Sequence, residues 1–298
     1  SLCGDDIKMA VALLNDSQLS FTCLFILHPI IKKFSLNTML NLRNKLALEI
    51  MDEVLTDVKF HGDENLLNIY IQKVNSVLIW ILDTGSLNDG LSDEFDEVLD
   101  ICAILLLKVY KDKSRLPLIA ELIFARHRKS HLIHDLVWAF LEARDPGSLM
   151  LIASRLRSIH EADIHLAQKL LNFIPGMDEQ NDNTEKQYMA FLKWLEENSL
   201  FLLYKGESFQ QTNRPKPYEI VYEGKYLCRN VSIDSGEIMS DLLQDELALI
   251  NAFNMLDLNT KILLSNFSFT LHKNDLDAWS QWLHSPIDTQ ISMTIGGV

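Results

Sequence analysis

The sequence predicts an all-α protein, built as stacked antiparallel helical hairpins with one small β-hairpin insertion. Three observations carry this. Apolar residues recur with a 3.6-residue period almost everywhere. Turn punctuation is sparse, with 11 Gly and 7 Pro in 298 residues, too little for an all-β chain. Hydrophobic residues make up 48%, enough for a substantial core and too many for disorder.

The pattern is densest from Arg115 to Gly176. Leu118, Ile119, Leu122, Ile123 and Ala125 stripe a helix from Arg115 to Arg126. Leu132, Ile133, Leu136, Val137, Phe140 and Leu141 do the same from His131 to Ala143. Asp145-Pro146-Gly147 then breaks the chain, with Asp145 a cap and Pro146 suited to a first helical turn. Leu149, Ile152, Ala153 and Leu156 mark a third helix, and Ile164, Ala167, Leu170, Leu171 and Ile174 a fourth. Helices this short bury their faces by stacking on neighbours. In form, though not in any repeated motif, the stretch resembles a HEAT-like α-α superhelix, the other option being an irregular helical bundle.

In chain order, helices are expected over Asp5–Asn15, Leu19–Phe34 (kinked or ended by Pro29), Leu36–Val58, Asn65–Leu82 and Leu91–Tyr110. Lys59-Phe60-His61-Gly62 stops the third, and 83–93 is a polar loop. Beyond a polar linker at 177–183, Thr184 caps a helix running to about Leu203. Further helices are read over Ile238–Leu256 (Leu242, Leu243, Leu247, Ile250, Phe253), Thr260–Phe267 and Asp275–His284, with a frayed tail from Ile287. The exception is Gly206–Gly236. There, Tyr218–Tyr222 and Lys225–Ile233 flank Glu223-Gly224 and read as a hairpin. The organisation is then a helical array over 1–176, a linker helix and insertion over 177–240, and C-terminal helices over 241–298.

The formal net charge is −14, which disfavours nucleic acid except at a local basic island. Charge is segregated. Asp83 to Asp100 holds seven acids and no Lys or Arg, while Lys108 to Lys129 holds seven bases against two acids. That island, extended by Arg144, Arg155 and Arg157, either meets an acidic or phosphate-bearing partner or pairs with the acidic run of the same molecule. Cys3, Cys23, Cys102 and Cys228 have no metal-type spacing and are expected to be free thiols, which suits a reducing, cytoplasmic location. No leader is evident, and the apolar runs 21–31 and 101–107 are too short to cross a membrane, so no membrane association is expected.

No catalytic pattern in the sequence is complete. His160 and His165 stand five apart, where a zincin helix needs four. His127, His131, His134 and Asp135 share a face only if one helix runs unbroken through them; such a face would suit a metal-dependent enzyme. His134-Asp135 also resembles the HD dyad of phosphohydrolases, but that family's upstream His has no counterpart near 101–107. No phosphate loop or nucleophile elbow is present, and no cofactor is expected. The expectation is a non-catalytic scaffold or adaptor for an unidentified protein partner. Phe209, Arg214, Tyr218 and Tyr222 supply anchor residue types, and Lys111, Arg126 and Arg128 steering charge.

Overall fold

The helical period is realised along the chain. Helix accounts for 69% of a computed structural model, well above the half that the pattern requires. The structure describes residues 2–55, 64–87, 94–177 and 183–296, without the side chains of 2–5 and 64–72. The stop expected at 59–62 and most of the 177–183 linker lie outside the described residues. Contacts cluster the chain into two compact units, Ser1–Ala143 and Arg144–Val298.

The first unit contains α1 (Leu2–Leu14), α2 (Phe21–Lys33), a 3-10 turn at Leu36–Met39, α3 (Leu42–Leu55), α4 (Glu64–Gly85), α5 (Asp96–Ile104), α6 (Leu116–Arg128) and α7 (His134–Glu142). Ser20 caps α2: its Oγ accepts from Cys23 N at 3.2 Å. Pro29 sits exposed inside α2, which continues past it to Lys33. The long helix expected from Leu36 is broken at its start, where Ser35 adopts φ 53° and Leu40 is extended. α5 runs on as a π-helical turn at Leu105–Val109, closed by Tyr110 N donating to Leu105 O. The core gathers Phe21, Leu24 and Ile31 with Leu78, Ile81, Phe95, Leu99, Ile123, Leu136 and Phe140. Phe21 meets Phe95 edge-on at 5.3 Å, and a Cβ on Gly85 would stand 3.0–3.3 Å from Leu99, Phe21 and Phe95. Close approach is why that position is glycine.

The second unit opens with the Asp145 cap, which accepts from Gly147 N as expected. It continues through α8 (Leu149–Ala153), α9 (Glu161–Leu170), α10 (Thr184–Asn198, capped by Asn183), β1 (Leu202–Tyr204), β2 (Tyr218–Ile220), α11 (Tyr222–Tyr226), α12 (Gln244–Asn254), α13 (Leu258–Asn274), α14 (Leu276–Leu283) and α15 (Ile287–Gly296). Among the described residues the only sheet is β1–β2, antiparallel, with Leu202 opposite Ile220 and Tyr204 opposite Tyr218.

The small antiparallel sheet is there as expected, but not between the strands expected. Tyr218 pairs upstream rather than across Glu223-Gly224, and the supposed turn is helix α11. A Cβ on Gly224 would fall 2.3 Å from Val231 Cγ1, so that glycine permits close packing and not a turn. The tail is corrected too. α15 is held by buried Gln290, whose Nε2 donates to the Leu283 and Ser285 carbonyls at 2.9 Å each. Gln290 Oε1 accepts from Tyr226 Oη at 2.7 Å. Tyr226 stacks on Phe253 (4.3 Å) and meets Trp282 edge-on (5.9 Å), forming the centre of the C-terminal core.

Candidate functional site

The expected steering residues are not equivalent. Lys111 is exposed at a left-handed turn (φ 54°) that ends the π-helical segment. Arg126 is only 5% exposed. Its guanidinium reaches Asp100 Oδ1 at 2.5 Å and Asp96 Oδ1 at 2.9 Å, and also donates to the Asp96 carbonyl. Arg126 is therefore a structural ion and not a steering charge. α5 presents the acids, α6 the arginine, and burial forces them to pair. Burial pushes the Asp100 carboxyl up to about 6, with Asp96 and Asp135 adding to the rise and Arg126 opposing it.

The island's other two arginines are paired as well. Arg115 grips Asp83 with two bonds, 2.6 and 2.8 Å, and Arg128 approaches Glu121 at 3.4 Å. Within the second unit Arg144 pairs with Asp234 (2.6 Å), and Arg157 pairs with Glu185 while lying over Tyr188 (3.7 Å). A cavity of about 310 Å³ opens near the end of α6, with Ser86, Asp96, Leu122, Arg126, Lys129 and His131 on its wall. The carbonyls of the helix C-terminus and Asp96 temper its positive lining.

The histidine face does not assemble. α6 ends at Arg128, Ser130 turns left-handed (φ 59°), and α7 starts only at His134. His127 and His131 are half-buried, His134 and Asp135 exposed, and His131 Nδ1 lies 3.7 Å from Asp96. Among the described residues no group of three or more His, Cys, Asp or Glu is poised to hold a metal. No helix among them is long and apolar enough to cross a membrane.

The four expected anchors also divide. Tyr218 is buried in β2 against Tyr204 (5.6 Å) and Phe173 (6.2 Å), and burial raises its phenol well above the ordinary range. Tyr222 is half-buried and packs on the Tyr226 core. Phe209 is half-buried with Lys169 over its ring at 5.1 Å, and Arg214 alone is exposed. Two of the four are therefore packing residues, because α11 and the sheet draw them inward.

Sequence reasoning missed two features of this unit. One is Lys225, 1% exposed, whose Nζ donates to Asn198 Oδ1 and Asn266 Oδ1, each at 2.7 Å, with the Phe269 ring 5.5 Å away. Burial without a bonded carboxylate pulls its pKa down to about 8, though Glu197 opposes the shift. Cys228, three residues on, takes φ 51° and borders an open recess of about 330 Å³ with Arg229, Asn230, Met239 and Ser240. Burial raises its thiol to about 11, so it is protonated at neutral pH and a weak nucleophile. Cys23 and Cys102 are free thiols as well, the first exposed and the second buried.

The other feature is the surface of α12 and the start of α13. Of the five residues expected to face inward on that helix, only Phe253 is buried. Leu243 is 69% and Leu247 48% exposed, followed by Met255 at 88% and Leu258 at 61%. Met239 and Leu263 extend the series. The sequence signal was there, a helix apolar on more than one side, but periodicity does not say which side meets the chain's own core. No protein-family profile, no curated protein and no solved structure matches this chain.

Proposed function

We propose that the chain is a non-catalytic protein-interaction module, a scaffold or adaptor of HEAT-like form. The observation that carries this reading is the exposed Leu/Met series from Met239 to Leu263. Soluble proteins rarely leave several large apolar side chains this exposed within one short stretch unless something covers them. Free thiols, one of them exposed at Cys23, agree with a cytoplasmic setting. Phosphate recognition through the basic island is disfavoured, since Arg115, Arg126 and Arg128 already face carboxylates.

The test is affinity capture from native extract with the wild-type chain beside Leu247→Asp. Partners retained by the first and lost by the second, at unchanged thermal midpoint, support the reading. Stoichiometric zinc, iron or manganese in the purified chain, lost on His131→Ala, would replace it with a metal-dependent one.

A further inference from the structure

We propose that the Leu243/Leu247 face of α12, continued by Met255 and Leu258, docks a basic amphipathic helix of a partner protein. This rests on the interaction-module reading and adds the partner's chemistry. The face itself is unbranched or singly branched apolar chain, leucine and methionine, which repacks readily around a foreign side chain. Leu243 and Leu247 stand one helical turn apart, the spacing that receives i, i+3 and i+4 rows of another helix. On the inward side of the same helix Phe253 is fixed by stacking on Tyr226, which anchors α12 to its core.

Charge selects the partner. From 237 to 296 the chain holds eight acids and two bases. Of these bases Lys273 bonds Glu196, and Lys261 lies 6.0 Å from the Phe253 ring centroid. Glu246 is held by Arg229 at 2.8 Å, and Asp257 and Asp275 cap α13 and α14. Asp241 and Asp245 remain exposed at the start of α12, beside Leu243. Exposed leucines in a segment of net negative charge attract a helix with a leucine face and Lys or Arg at its margins. The same field repels a second copy of this chain, at −14, and an anionic lipid surface. The first unit offers a contrast. Ile7, Met9, Leu13, Ile26, Ile30 and Phe34 are also exposed, but residues 5–40 carry three acids and three Lys, so charge there selects nothing.

The experiment titrates the full chain into a fluorescein-labelled 20-residue Leu/Lys helical peptide. Controls are its Leu/Glu counterpart, a scrambled Leu/Lys peptide, and vesicles of phosphatidylserine and phosphatidylcholine. The proposal expects saturable binding of the Leu/Lys helix only. Leu247→Asp should raise Kd at least tenfold with an unchanged thermal midpoint. Asp241→Asn with Asp245→Asn should raise Kd several-fold at low salt and flatten its salt dependence. Equal binding of the scrambled or Leu/Glu peptide overturns it. So does vesicle binding, dimerisation through this face, or wild-type affinity in Leu247→Asp. If extract partners still depend on Leu247 while the Leu/Lys helix fails to bind, the interaction reading stands and the basic-helix inference falls.

Discussion

The basic island of the first unit and the α12 face of the second are opposite in what sequence and structure make of them. The island looks like a binding surface in the sequence because seven bases crowd 22 positions. In the fold its arginines are spent on the chain's own carboxylates. The α12 face looks like core, with the same apolar period as any buried helix, and is exposed. Segregated charge has two ways to be satisfied, and the cheaper one is internal whenever the complementary run lies on an adjacent helix. An apolar stripe has no such option once the unit's own core is full. What is left over, rather than what is abundant, marks the surface available to a partner.

The largest expected effect tests the internal half of this contrast. Arg126→Ala strands Asp96 and Asp100 and should cost about 3–5 kcal/mol of unfolding free energy in a denaturant titration. A loss within about 0.5 kcal/mol, the usual surface value, would return Arg126 to the partner surface. The pH dependence follows from the same cluster. Folding raises the Asp100 pKa from 3.8 to about 6, so the folded state holds that proton more tightly. Its stabilisation is fully present below pH 3.8 and disappears as pH rises through 6. The shift is worth about 3 kcal/mol. Asp100→Asn should flatten the stability profile over that window, and an unchanged slope would contradict the assignment.

A buried cation in the second unit sharpens the comparison, because it has amide partners where Arg126 has carboxylates. Lys225→Met leaves two amide oxygens without a donor, and about 2–3 kcal/mol should be lost at pH 7. In the wild type the lowered pKa, about 8 against 10.5, means the unfolded state binds the proton more tightly. Stability contributed by this group should therefore rise as pH goes from 8 to 10.5, and Lys225→Met should abolish the rise. At the small end, Leu247→Asp and Arg214→Ala change exposed side chains and should shift stability by no more than about 0.5 kcal/mol. A larger loss for Leu247→Asp would show that its side chain is core.

The helical fold was legible because a 3.6-residue period survives in nearly every segment, and the Asp145-Pro146-Gly147 break was read correctly from cap chemistry. The acidic and basic runs also foretold their mutual pairing as one of two outcomes. Three features were not legible, each for a physical reason. β1 spans only Leu202–Tyr204, too short for a two-residue alternation to declare itself, so Tyr218 was given the wrong partner. α15 is anchored by Gln290, a polar residue whose importance lies in three tertiary hydrogen bonds with no sequence pattern. Ser35 is left-handed with no conformational preference for it, and a 3-10 turn and an extended Leu40 follow, so the helix expected from Leu36 starts only at Leu42. The candidate site was the least legible of all. Burial of Tyr218 and Arg126, and exposure of Leu243 and Leu247, depend on which faces the tertiary packing consumes.

The most direct test of the central claim is hydrogen-exchange mass spectrometry of the full chain with and without the Leu/Lys helix. The prediction is slowed exchange confined to 239–263, with 108–131 unchanged. Protection centred on 108–131, or none on 239–263 at saturating peptide, would contradict it.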